Sequence, residues 1–198
     1  MLVTKPAPDF TAKAVLADGT IDENFKLSEN FGAKGTVVFF YPLDFTFVCP
    51  SEIIAFSHRY NEFQERGVNV VGISVDSQFS HFAWRETPVN EGGIGRINFP
   101  LVADLSKNIA RDYDVLFNDE VALRGSFLID DKGIIRHAVI NDLPLGRNVD
   151  EMLRMIDAQQ FTDEHGEVCP AGWNKGDEGM KADAKGVAEY LAKHAEEL

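Results

Sequence analysis

Two side chains in this 198-residue sequence can serve as both nucleophile and redox group, Cys49 and Cys169, and they are its only cysteines. A thiolate can attack an electrophile, pass through a sulfenic acid or close a disulfide, and its surroundings select among these. Cys49 ends the segment PLDFTFVC, residues 42–49, and precedes Pro50, a residue tolerated in the first turn of a helix. A sulfur at a helix start meets unpaired backbone N–H groups and the positive end of the helix dipole, which favour thiolate over thiol. The same place also suits a small buried apolar residue, so the position by itself leaves both readings open. Thr46 stands three residues earlier, where a dithiol exchanger would carry the first cysteine of a C-x-x-C pair. Its hydroxyl can donate and accept a hydrogen bond but cannot resolve a disulfide, which excludes reversible dithiol exchange within the loop. A lone thiolate beside a hydroxyl suits attack on a polar, oxygen-bearing substrate, although a threonine that only satisfies the loop backbone has the same spacing. Cys169 lies in a stretch rich in glycine and charge, where an exposed bystander thiol and a partner for Cys49 both remain open.

The elements that must position these groups follow from hydrophobic period. Residues 35–41, GTVVFFY, form a β-branched and aromatic run bounded by Gly35 and Pro42, the pattern of a strand buried on both faces. Beyond the loop, Ile53, Ile54, Phe56, Tyr60 and Phe63 recur at helical spacing and predict one helix from near Cys49 to before Gly67. Residues 68–75 read as a second buried strand, and residues 77–85 as a helix with Phe79, Phe82 and Ala83 on one side, completing a right-handed βαβ unit. A short strand at 100–103 and a helix over 106–113 follow. Strands at 125–130 and 134–140 flank the turn Asp131, Lys132, Gly133. Asn148 can cap a helix running to about Gln160, with Glu151 at its third position as in a capping box. These elements make a mixed sheet covered by helices. After Phe161 the apolar period is lost and a tail is expected, helical again only over 187–197.

Composition narrows the partners. Thirty-two acidic against 19 basic residues give a formal charge of -13, a poor match for nucleic acid or an anionic membrane. No apolar stretch approaches the roughly 18 residues of a membrane span, and the first residues lack an export signal, so a cytoplasmic protein is expected. In a reducing compartment two lone cysteines are more often inert or catalytic than structural.

The P-x-x-x-T-x-x-C spacing of Pro42, Thr46 and Cys49 resembles the active-site signature of peroxiredoxins. Residues 76–84 (DSQFSHFAW), 123–130 (LRGSFLID), 141–147 (NDLPLGR) and 166–173 (GEVCPAGW) extend the resemblance over nearly the whole chain. The pattern is similar to the typical two-cysteine group, which includes alkyl hydroperoxide reductase C and thioredoxin peroxidases. The resemblance implies an α/β, thioredoxin-like fold, a mixed central sheet flanked by helices, with a peroxidase domain over 1–161 and a C-terminal tail over 162–198. It implies a peroxidatic role for Cys49, a substrate-orienting role for Thr46, a loop role for Pro42 and an active-site arginine at Arg124. Arg is the suitable partner because its permanently charged fork can stabilise thiolate and peroxide oxygens together, whereas position alone reads equally as a solvated strand-end arginine. Arg147 resembles a supporting arginine that Glu52 could orient, although a carboxylate in a first helical turn is favourable for the dipole alone.

The implied cycle is attack of Cys49 on a hydroperoxide, an intersubunit disulfide with Cys169 as the resolving sulfur, and reduction by thioredoxin or a flavoprotein disulfide reductase. The resemblance implies no metal, flavin or nucleotide cofactor for this chain itself. The resemblance also implies a homodimer assembled into a decamer, with Phe79, His81, Phe82 and Trp84 near the contact between dimers, though a buried amphipathic helix face explains the same residues. Gly92, Gly93 and Gly95 resemble the GG-x-G loop of oxidation-sensitive members, whose tails end in Tyr-Phe. Here Tyr190 is followed by Leu191, which implies intermediate sensitivity. The histidines make no metal pattern, since His165 and Cys169 are two ligands at most. An alternative of a different class is an oligomeric chaperone-like holdase, in which the cysteines would be incidental or regulatory.

Overall fold

The computed structural model describes residues 1–196. In chain order the strands are β1 (Thr11–Val15), β2 (Ile21–Lys26), β3 (Gly35–Phe40), β4 (Val68–Ser74), β5 (Leu101–Ala103), β6 (Leu116–Phe117), β7 (Val121–Ala122), β8 (Arg124–Asp130) and β9 (Ile135–Asn141). The helices are α1 (Cys49–His58), α2 (Tyr60–Glu65), α3 (Gln78–Glu86), α4 (Asn108–Asp112), α5 (Val149–His165) and α6 (Ala184–His194). Two compact units result, Met1–Val149 and Asp150–Leu198. The boundary expected at 161/162 falls inside α5, which continues past Gln160 to His165.

The first unit is built on a seven-stranded mixed sheet in the order β2-β1-β5-β4-β3-β8-β9. β3 lies parallel to β4 and antiparallel to β8, and all six of its residues are buried. Its alternation feeds two cores. Val38 and Phe40 join Tyr113 and Phe127 on one face, with Phe40 and Tyr113 ring centroids 5.1 Å apart. On the other face Phe39 stacks on Phe56 of α1 at 4.5 Å and meets Phe99 edge-on at 5.6 Å. Each such ring contributes about 1.5–3 kcal/mol by leaving water. α1 is thereby fixed over the sheet at the end of the strand that leads into the Cys49 loop.

Two expectations need correction, and one pair of strands was missed. The helix predicted over 49–66 is broken at Arg59, which has φ −94° and ψ 5° and separates α1 from α2. No Gly or Pro marks that break; it leaves Phe63 against Phe56 at 5.8 Å. The face of α3 carrying Phe79 and Phe82 is not buried: these residues are 68% and 41% exposed, and Gln78, His81, Trp84 and Arg85 face inward instead. The polar members of that inward face tolerate burial because most of their groups are bonded. His81 Nε2 meets Val102 O at 3.1 Å, and Arg85 donates to the Ile97 and Ala17 carbonyls. β1 and β2 were not foreseen, since IDENFK reads as polar; its exposed residues suit a sheet edge.

In the second unit the stretch after α5 is folded onto itself rather than trailing. Val168 pairs with Met180 in an antiparallel bridge, and Trp173, 3% exposed, lies 4.8 Å from Phe161. α6 begins three residues before the helix expected over 187–197, whose last residue, Glu197, lies outside the described residues. Among the described residues no helix is long and apolar enough to cross a membrane.

Candidate active site

The loop between β3 and α1 is pinned from below. The Asp44 backbone N–H donates to Asp76 Oδ2 at 2.8 Å, and Ser74 Oγ donates to the same oxygen at 2.6 Å. The Asp44 carboxylate accepts from the Tyr41 hydroxyl at 2.9 Å and lies 2.8 Å from His81 Nδ1. Burial, then the Asp44 charge, push the Tyr41 phenol well above its usual range, so it stays a donor. Phe45 follows with φ 54°, a left-handed conformation that costs a non-glycine residue about 1–3 kcal/mol, held with its ring 5.7 Å from Trp84. The pinned loop delivers Thr46 and Cys49 to fixed places. Asp44 and its partners carry no signature of their own; the one signal is a carboxylate set between Leu43 and Phe45, which must be paired if buried.

Cys49 opens α1 and is fully buried, with Pro50 in the first turn as expected. Thr46 Oγ1 lies 3.1 Å from Cys49 Sγ and 2.8 Å from Leu43 O. The hydroxyl has one proton for these two acceptors, so it can donate to the sulfur as thiolate, or to Leu43 while its lone pairs face a donor. Pro42 is buried at the loop entrance.

Arg124, the first residue of β8, approaches from across the sheet. The register Val38↔Phe127 and Phe39↔Ser126 carries it to the C-terminal end of β3, beside the loop. Its Nη1 lies 3.3 Å from Cys49 Sγ and 2.7 Å from Glu52 Oε2, and its Nε donates to Leu143 O at 2.7 Å. Glu52 also takes a two-pronged contact from Arg147, Nε to Oε1 and Nη2 to Oε2, both 2.9 Å, plus the Arg147 backbone N–H at 3.0 Å. Arg147 Nη1 donates to Phe40 O at 2.7 Å and Gly125 O at 2.9 Å, and its guanidinium sits 5.0 Å over the Phe39 ring. Burial draws this guanidinium below the usual arginine range, and the Glu52 charge opposes the shift. Two guanidiniums thus face one carboxylate, and one of them also reaches the Cys49 sulfur. Glu52, read in the sequence either as an orienter of an arginine or as a carboxylate favourable to the helix dipole, contacts both arginines.

Cys169 sits apart from these residues in the sequence and is half-buried. Its Sγ is 3.5 Å from Ala158 O and 3.6 Å from Thr162 Oγ1, both on α5. His165 stacks on Phe161 at 4.4 Å, and no group of three or more His, Cys, Asp or Glu is placed to hold a metal among the described residues. Gly93 needs to be glycine, because a Cβ there would meet Thr87 O at 1.9 Å, and Gly92 O accepts from Trp84 Nε1 at 2.8 Å.

A fully buried sulfur held between a threonine hydroxyl and an arginine is what the sequence resemblance anticipates. The AhpC/TSA family model matches residues 3–138, and a model of the C-terminal domain of 1-Cys peroxiredoxin matches residues 158–193. The chain belongs to the peroxiredoxins. It is 63% identical over 198 residues to alkyl hydroperoxide reductase C of Helicobacter pylori (strain ATCC 700392 / 26695), covering 100% of both chains. Peroxiredoxin-2 of Rattus norvegicus is 55% identical over 193 residues, 97% of this chain and 96% of its own. The reduced 2-Cys peroxiredoxin of Plasmodium vivax superposes with a TM-score of 0.94 at 49% identity, covering 97% of this chain and 99% of that one. The thioredoxin-like fold follows from this likeness, and the activity of this peroxiredoxin is that of a thiol peroxidase, an oxidoreductase. The holdase reading is not favoured.

Proposed function

We propose that Cys49 is the peroxidatic sulfur of this peroxiredoxin and Cys169 the resolving one. The observation that carries this is the placement of Thr46 Oγ1 at 3.1 Å and Arg124 Nη1 at 3.3 Å from a sulfur shielded from solvent. The Cys49 thiolate attacks the terminal oxygen of a hydroperoxide; the S–O bond forms, the O–O bond breaks, and the alkoxide or hydroxide leaves to take a proton and become alcohol or water. Thr46 Oγ1 can accept from the peroxide O–H, and Arg124 can donate to the oxygens as charge develops on them. Arg147 acts at one remove, holding Glu52 and through it Arg124.

The Cys169 thiol then attacks the sulfenic acid, the S–S bond forms, and the hydroxyl leaves as water with the thiol proton. Cys49 has no exposed surface, and a disulfide needs Cα atoms within about 7 Å, so the first turns of α1 must open for this step. In our reading the Cys169 comes from a partner copy, the dimers assemble further into a decamer, thioredoxin or a flavoprotein disulfide reductase restores the thiols, and the protein works in the cytoplasm. Self-association is supported by Phe79, 68% exposed, and Phe47, 96% exposed, apolar rings that a lone chain leaves in water.

Non-reducing electrophoresis after stoichiometric peroxide tests the scheme. A dimer band is expected in the parent protein and absent from both Cys49→Ser and Cys169→Ser. Peroxide consumption persisting in Cys49→Ser would overturn the assignment.

A further inference from the structure

Each of the two sulfurs faces a threonine hydroxyl. Thr46 has the role proposed above; Thr162 lies within reach of Cys169 Sγ and belongs to no motif. Arg154, Ala158 and Thr162 recur every four residues along α5 and therefore share one stripe, over which Cys169 is laid. The two groups nearest the sulfur differ in kind. Ala158 O, at 3.5 Å, is an acceptor only: it takes the S–H of the thiol and repels a thiolate. Thr162 Oγ1, at 3.6 Å, both accepts and donates, so it can follow the sulfur through either protonation state. Arg154 adds a positive charge to the same stripe. Hydrogen bonds from its guanidinium to Glu151 raise it above the usual arginine range. Its Nη1 also ties the chain just beyond Cys169 to the helix, donating to Trp173 O at 2.7 Å.

We propose that Thr162 is a catalytic residue of the resolving half-reaction, its hydroxyl donating to the Cys169 thiolate and so favouring the nucleophilic form. The inference rests on Cys169 being the resolving sulfur. In the step it assists, the Cys169 S–H bond breaks, the S–S bond to Cys49 forms, the Cys49 S–O bond breaks, and the released hydroxide takes the thiol proton as water. The Cys169 sulfur is oxidised and the Cys49 sulfur reduced from sulfenic acid, so no further oxidant is required.

The test is rapid mixing of the full-length, reduced protein with hydrogen peroxide, followed by tryptophan emission. The first phase depends on peroxide concentration and reports attack by Cys49; the second does not, and reports disulfide formation. Thr162→Val, which keeps shape and removes the hydroxyl, should slow the second phase about ten-fold, the scale of one hydrogen bond to a charged group. Thr162→Ser should restore it to within about two-fold of the parent, a rescue that a packing role would not produce. The first phase serves as the control for folding; if the valine variant fails it, Thr162→Ala is read by the same criteria. A second phase unchanged or faster in the hydroxyl-free variant, or a serine variant as slow as the valine one, would overturn the proposal. Cys169→Ser separates the two levels: a second phase that survives in it refutes the resolving role itself, whereas its loss leaves the Thr162 result to be judged alone.

Discussion

Arg124 Nη1 reaches Cys49 Sγ at 3.3 Å across a sequence separation of 75 residues, and the same nitrogen holds Glu52 at 2.7 Å. One donor group thus serves both the Cys49 sulfur and the Glu52 carboxylate. Replacing Arg124 by Gln should lower the second-order rate constant with peroxide by about 10²–10³-fold, the usual cost of one preorganised donor. Competition against a reference peroxidase measures it, and a change below ten-fold would remove Arg124 from the chemistry.

Thr46 makes a narrower claim. With the hydroxyl gone in Thr46→Val, peroxide reduction should fall by about 10²-fold, while Thr46→Ser, which keeps Oγ, should stay near the parent. If both variants lose activity equally, the threonine serves the loop backbone through Leu43 and not the substrate.

Glu52 is 4% exposed between two arginines, Arg124 and Arg147. Glu52→Gln strands two buried cations without a carboxylate and should cost about 3–5 kcal/mol of folding stability. Urea unfolding of the reduced protein gives the difference directly; a midpoint unchanged from the parent would show that the ion pairs are not what holds the site together.

Opening of α1 predicts a redox-dependent exchange pattern. Amide hydrogens over residues 45–55, protected in the reduced form, should exchange faster once the disulfide has formed, because Cys49 has no exposed surface at the helix start. Equal protection in both forms would mean that the two sulfurs meet without unwinding.

Asp76 tests the platform under the loop. Burial, followed by the Asp44 charge, raises its carboxyl above the ordinary carboxylate range. The folded state therefore binds this proton more tightly than the unfolded state, and its contribution to stability declines as pH rises from the unfolded value through the raised one. Asp76→Asn retains an oxygen acceptor for Asp44 N–H and Ser74 Oγ without titrating. Its stability relative to the parent should grow as pH rises across that window, as read from urea midpoints; a constant difference would contradict it.

The local sequence determined what each short segment could be. GTVVFFY, a β-branched and aromatic run without a charge, reads as a strand buried on both faces, and the adjacent loop with Pro50 behind Cys49 set the sulfur at a helix start, because strand burial and first-turn geometry depend on near neighbours. The spacing of Thr46 to Cys49 likewise carried over directly into a 3.1 Å contact, since three residues of loop leave little freedom. The tertiary structure alone decided what meets across the sheet. Arg124 reads as a strand-end cation until the antiparallel register of β3 with β8 brings it beside the sulfur, and Arg147 and Glu52 join only when the chain beyond β9 returns to α1. The inward face of α3 was misread for the same reason. Hydrophobic period assigns Phe79 and Phe82 to the core, but Asp44 and Val102, distant in sequence, supply the partners that make buried His81 affordable and leave the phenylalanines outside. The pairing that buries His81 is a long-range property, and no local pattern encodes it.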